Sequence, residues 1–455
     1  MKQELLNKYS IPVPRYTSYP PANFFNDSFT SDSYWDAVAE SNNQHPEHIS
    51  FYIHIPFCYQ LCYYCGCNSQ SFRSDAVTNK YIEALKKEIK MVLPLLDHNR
   101  KISQIHYGGG TPTSQPVSVL KEINQILLSE FDCIDNPEIA IECHPGYMDE
   151  QYWKELTDAG FNRISMGIQD FNRDVLKVVN RKTPRLPIEE AVKIVRDKGL
   201  SLNMDFIYGL PLQTSESFAA TIEKAIDLKP DRIVTFSYAH VPWVNELQKK
   251  LESAGLPDVE TKNNQYTTAR QLLTSAGYKT IGLDHFVLPG DELYKVLITK
   301  KLHRNFQGYC TRRTTGQVYA FGVTGISQLS TAYSQNTKDL DTYIFMLEKG
   351  ELPVGKGYIL NENEQITRTV ISELMCNYTI HWKEIADELH LTVGRIKSAV
   401  NYNTNTLTEF EKDDIIEFNE DTLSILPDAT PFVRNVAASF DRLLGTRENR
   451  YSKSI

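Results

Sequence analysis

Cys58, Cys62 and Cys65 stand in the spacing C-x3-C-x2-C, and Cys67 follows, so four of the chain's eight cysteines fall within ten positions. Thiolates are soft ligands that favour zinc, copper(I) or iron–sulfur clusters. A structural zinc site usually takes two ligand pairs from separated knuckles. Here no second pair follows, and Cys133, Cys143, Cys310 and Cys376 are scattered. Three cysteines on one loop could instead hold three irons of a [4Fe–4S] cluster and leave the fourth iron to a small molecule. Zinc is the alternative that the spacing leaves open.

Such a loop needs elements to carry it. "ISFYIHI" from position 49 is β-branched and aromatic, as strands are. Ile82, Leu85, Ile89 and Val92 follow at helical spacing, and Pro94 stops the run. Further short apolar runs begin near residues 104, 138, 163, 201 and 232, with helical stretches between them. About six βα units in series predict an α/β fold with a parallel sheet, either open or a complete or partial barrel. Ligand groups in barrels gather where strands end. Those ends carry Gly108 to Thr111, Glu142, Gln169, Asp205 and Ala239, and the cysteines follow the first strand in the same way. The polarity therefore predicts one shared mouth.

The pattern predicts three regions: an N-terminal arm (1–48), the βα region and its extension (49–355), and a mostly helical, winged-helix-like C-terminal domain (356–455). A helix–turn–helix flavour at 382–400 suggests DNA binding. A net charge of −9 weighs against nucleic acid and favours a domain that covers the mouth. No apolar run reaches the ~20 residues of a membrane span, and "MKQELLNKYSIPVPRY" lacks a secretory apolar centre. A cytoplasmic monomer is expected, without a membrane partner. In that reducing compartment clustered cysteines point to metal chemistry rather than disulfides.

With Tyr64 before its last cysteine, the motif resembles the signature of the radical S-adenosylmethionine superfamily. "PRYTSYP" (14–20), "YIHIPFC…CGC" (52–67), "GGGTPT" (108–113), "RISMGIQDFN" (163–172), "DFIYGLPLQT" (205–214), "YAHVP" (238–242), "GLDHF" (282–286) and "HRNFQGY" (303–309) narrow it. Together they resemble the oxygen-independent coproporphyrinogen III dehydrogenase family of haem biosynthesis. The resemblance implies a partial (βα)6 barrel holding a [4Fe–4S] cluster and two molecules of S-adenosylmethionine. It implies oxidative decarboxylation of two propionates of coproporphyrinogen III to vinyls, begun by a 5′-deoxyadenosyl radical. A low-potential electron donor and an electron acceptor are implied but not identified. Haem-binding chaperone-like relatives and haem-modifying radical enzymes are the rival readings; "PRYTSYP" and "CGC" favour the dehydrogenase.

The resemblance also implies roles. Cys58, Cys62 and Cys65 would bind the cluster. Tyr52, Tyr64, Gly66, Gly109 and Glu142 would line the first cofactor, and Gly110, Thr111, Gln169, Arg181 and Asp205 the second. Ala239 and Ile326 would surround adenine. Cys67 would lie near the second cofactor, and Cys67 and Tyr52 would sit closest to the chemistry. A substrate with four carboxylates needs cations, for which Arg15 and Arg304 are candidates, assisted by His303 and Gln307. Arg312 and Arg313 would tune the entrance or form a solvated loop.

Overall fold

Six strands rich in β-branched and aromatic residues succeed one another along the chain. They are β1 (His48–Ile55), β2 (Lys101–Gly109), β3 (Cys133–Cys143), β4 (Arg163–Gln169), β5 (Ser201–Tyr208) and β6 (Arg232–Ser237). This computed structural model describes residues 3–44, 46–311, 317–446 and 451–452. Arg312 and Arg313 lie outside the described residues.

The helices between strands form as their patterns dictate. In helix Asp75–Val92 the Ser74 hydroxyl accepts from Val77 N–H as an N-cap, and Asp75 complements the first-turn dipole. Ile82, Leu85, Ile89 and Val92 are at most 3% exposed, which stabilises the packing by about 1.5–3 kcal/mol for each side chain. The helix then passes into a 3-10 turn containing Pro94.

β1 to β6 lie side by side in chain order, all parallel. Their C-terminal ends therefore share one edge. The sheet is larger than the six expected strands. Val318–Phe321 adds a seventh parallel strand beside β1. Antiparallel strands Ile326–Gln328, Ala332–Asn336 and Val354–Ile359 extend that side, and His285–Val287 and Lys279–Ile281 extend the other. These flanking runs are three to six residues long, too short for periodicity to reveal.

One core lies between the sheet and its helices and includes Phe29, Tyr34 and Val38 of the arm. A second core gathers around the helix Glu362–Asn377 and a three-stranded antiparallel sheet of Thr379–His381, Thr422–Ile425 and Ile416–Phe418. Tyr9, Val13, Tyr16 and Tyr19 of the arm belong to that second core. The arm thus ties the two cores together. Among the described residues no helix is long and apolar enough to cross a membrane.

Candidate active site

The cysteine loop leaves β1 at the shared edge. Cys58 and Cys62 are buried, Cys65 is half-buried and Cys67 is exposed. Two segments clamp the loop. Tyr63 N–H donates to Val179 O (2.9 Å) and Asn180 Nδ2 donates to Leu61 O (2.8 Å). Asn245 Nδ2 donates to Cys65 O (2.7 Å). Burial pushes the Cys58 thiol up to about 11, and the thiols of Cys65 and Cys62 add to the rise. The neighbouring Cys67 thiol pulls Cys65 down.

Beside the thiols the glycine turn leaves main chain bare. Gly109 has φ +114°, and a Cβ on Gly110 would stand 2.3 Å from Pro56 O and 3.1 Å from Cys58 Sγ. Thr111 Oγ1 lies 3.3 Å from Cys58 Sγ. Among the described residues no three His, Cys, Asp or Glu groups converge as the ligands of one ion would. Three soft thiol donors on one loop, next to a side-chain-free turn, do fit a cluster with one iron left to a small molecule.

Tyr52 in β1 pairs in register with His106 in β2 and stacks on its ring, with centroids 6.0 Å apart. Its hydroxyl lies 3.2 Å from His54 Nδ1. Burial lowers His54 to about 4, which keeps it neutral. Glu142, near the end of β3, accepts from His106 Nε2 at 3.1 Å and stays partly exposed to the mouth. Gln169 ends β4 with φ +68°, and its Oε1 is buried without a hydrogen-bond partner among the described residues. Asp205 lies inside β5, in register with Gly167, three residues short of the strand end. It accepts from Ser165 Oγ (2.7 Å) and Asn203 Nδ2 (2.9 Å), yet burial still raises its carboxyl. Arg181 Nη1 reaches Tyr64 OH (3.1 Å) and Cys62 Sγ (3.6 Å), and its Nη2 donates to Gly167 O.

Past the ends of β5 and β6 two cavities adjoin. The smaller, about 370 Å3, runs from Tyr64 and Gly66 of the cysteine loop to Ala239 and Arg15. The larger, about 540 Å3, shares Arg15 and Ala239 and adds Lys262, Asp284, Arg304 and Arg434. Its walls also include the rings of Tyr208 and Phe236 and the apolar Leu256. Arg304 Nη1 donates to Arg15 O at 3.0 Å, and Arg434 Nε donates to Pro14 O at 3.1 Å.

Most residues singled out in the sequence thus lie at one edge. Ile326 sits on a flanking strand, partly buried against the cluster of Phe25, Tyr333 and Leu360. His303 and Gln307 line neither cavity; His303 alternates with Arg304 on its strand, and neighbours along a strand face opposite ways. His54, His106, Lys262 and Arg434 were missed. Alternation along β1 and β2 could have marked the two histidines, whereas no local pattern distinguishes Lys262 or Arg434.

The Radical SAM superfamily matches residues 52–225, which include the second half of β1, the cysteine loop and β2 to β5. The oxygen-independent coproporphyrinogen III oxidase of Synechocystis is 37% identical over 99% of this chain and 97% of its own. That of Helicobacter pylori is 36% identical over 99% of both. This chain belongs to the oxygen-independent coproporphyrinogen III oxidase family. The solved coproporphyrinogen III oxidase of Escherichia coli, described as a radical SAM enzyme, superposes with a TM-score of 0.88 at 34% identity. The superposition covers 97% of this chain and 98% of that one, so both cores belong to the family's common architecture.

Proposed function

We propose that this protein converts two propionate side chains of coproporphyrinogen III to vinyl groups, giving protoporphyrinogen IX in haem biosynthesis. It does so as a radical SAM oxidoreductase with a [4Fe–4S] cluster and S-adenosylmethionine, two molecules of the latter. What carries the reading, within the family, is the continuous space from the cysteine loop at Gly66 to the cations Arg15 and Arg304. A macrocycle apolar in its body and anionic at its rim matches apolar walls bearing fixed cations.

When bound, the cluster and S-adenosylmethionine supply a 5′-deoxyadenosyl radical that takes a hydrogen atom from the propionate β-carbon. The chain's own residues hold and orient the partners. Cys58, Cys62 and Cys65 bind the cluster. The bare main chain of Gly109 and the carboxylate of Glu142 receive the first cofactor, with Tyr52 and Tyr64 against it. Gln169 offers an unused acceptor, and Asp205 accepts from hydroxyl or amino groups of the second. Arg181 supplies a planar fork for the second cofactor's carboxylate. Arg15 and Arg304 hold substrate carboxylates away from the reacting one. His54, whose Nε2 donates to Asn68 O, accepts from the Tyr52 hydroxyl and so fixes that ring beside the cysteine loop.

The strands β1 to β6 form a partial barrel, and the residues beyond about 356 form a winged-helix-like domain that covers its mouth. The enzyme works as a cytoplasmic monomer with an outside low-potential electron donor for the cluster and an electron acceptor that takes the one electron released from the substrate radical as each carbon dioxide leaves. Anaerobic incubation with coproporphyrinogen III, S-adenosylmethionine and a reductant tests the reading by product mass. Loss of two carboxyl groups as carbon dioxide is the expected result; haem binding without turnover would overturn it.

A further inference from the structure

Four cations line the larger cavity, Arg15, Lys262, Arg304 and Arg434, and Asp284 is the one acidic residue among its described lining residues. Lys262 is the least expected. It lies in the first turn of helix Val259–Ser275, where the helix dipole disfavours a positive charge. Its stem crosses Gly209, immediately after β5, where φ is +84° and a Cβ would stand 2.8 Å from Lys262 Cε. A side chain there would displace the lysine. The ammonium donates to Tyr238 O at 3.0 Å, just past the end of β6. Among the described residues no carboxylate pairs with Lys262, and Arg304 Nε is buried without a hydrogen-bond partner. Burial, and then Arg15, lower Lys262 to about 8. With four cations and one carboxylate, the cavity keeps an excess of positive charge that an anion arriving from outside offsets.

We infer that Lys262 binds a substrate carboxylate and makes this cavity grade its ligands by carboxylate number. The inference rests on the function proposed above. The substrate carries four carboxylates, the product of the first decarboxylation three and the final product two. Each lost carboxylate weakens the hold of the cavity. The three-carboxylate intermediate therefore stays for its second decarboxylation, and the two-carboxylate product leaves. Lys262 is a specificity residue outside the cysteine loop and takes no part in hydrogen abstraction.

The test uses the anaerobic iron-loaded protein and two stable porphyrins, coproporphyrin III with four carboxylates and protoporphyrin IX with two. Dissociation constants are read by fluorescence. The wild type is expected to prefer the four-carboxylate probe. Lys262→Met should weaken that probe roughly ten- to a hundredfold, the range of one charge-assisted contact, with a much smaller effect on the two-carboxylate probe. Lys262→Arg should restore most of the preference. In turnover, Lys262→Met should release three-carboxylate intermediate while iron content and the cluster's spectral response to S-adenosylmethionine stay unchanged. Equal weakening of both probes, or a variant indistinguishable from wild type, would overturn the inference. Absence of vinyl product from the wild type would instead overturn the family function, so the two failures are separable.

Discussion

The cysteine loop and the cationic cavity adjoin, yet they are built in opposite ways. The loop draws its reactive groups from two short stretches, residues 52–67 and 108–111. The cavity draws its charges from residues 15, 262, 284, 304 and 434, spread over the arm, a helix after β6, two hairpins and the C-terminal region. At the loop the cation is held in place through both Nη atoms, with Arg181 bonded to Tyr64, Cys62 and Gly167. In the cavity Arg304 bonds a backbone carbonyl and keeps an unsatisfied Nε. A group that must bind several irons at once needs fixed spacing along one loop. A site that recognises a large anion needs only charges converging from any part of the fold.

The sharpest way to break this comparison is to remove one thiol. Replacing Cys58, Cys62 or Cys65 by Ser should abolish bound iron, the visible absorption of the cluster and all turnover, because each thiolate is a ligand in its own right. Cys67→Ser should keep its iron, as it lies outside the three-cysteine spacing and is exposed. Iron and sulfide analysis of the anaerobically purified variants checks both statements. If single cavity variants also lost iron, the two regions would not be separable.

The same contrast explains how much could be read from the sequence. The six parallel strands were legible because each is a β-branched run ending in glycine, proline or polar residues, and the three-cysteine motif was legible because ligand spacing is local. Asp205 was placed at a strand end, but the register sets it inside β5 opposite Gly167. A run of apolar residues marks a strand without fixing its last hydrogen bond. The antiparallel flanks were illegible because strands such as Ile326–Gln328 carry no measurable period. Lys262 was illegible because its meaning depends on Gly209, 53 positions earlier in the chain.

Arg181→Ala comes next in size. Losing a charge-assisted contact should weaken the second cofactor roughly ten- to a hundredfold. Iron content and the cluster's response to the first S-adenosylmethionine should persist. Lysine there keeps charge without the planar fork and should restore only part of the activity. Titration of turnover against S-adenosylmethionine concentration measures this, and full activity at low concentration would remove Arg181 from cofactor binding.

Arg304→Ala should act more mildly, raising the KM for coproporphyrinogen III about tenfold with little change in kcat. Its guanidinium also supports Arg15 O, so part of the loss is positional. Comparing KM with kcat in steady-state assays separates the cavity's role from the loop's. A fall in kcat with unchanged KM would move Arg304 from recognition to chemistry.

The smallest effect on catalysis concerns the packing behind the loop. Glu88, 3% exposed, accepts from Gly322 N–H (2.8 Å), Asn336 Nδ2 (2.6 Å) and the Tyr343 hydroxyl. Burial outweighs these bonds and raises its carboxyl from 4.5 to about 7. The folded state therefore holds a proton that the unfolded state has released between pH 4.5 and 7. Stability from this group is full below pH 4.5 and is lost as pH rises to 7, by about 3 kcal/mol. His54 has the opposite sign. Burial depresses it from 6.5 to about 4, so its contribution is full above pH 6.5 and is lost as pH falls to 4. Between pH 4.5 and 6.5 the two slopes cancel in the wild type. Glu88→Gln removes one of them, and its denaturation midpoint should then rise with pH across that window, with unaltered turnover at neutral pH. Parallel denaturant titrations of the iron-loaded wild type and variant measure the difference, and matching pH profiles would show that Glu88 is ionised in the folded protein throughout.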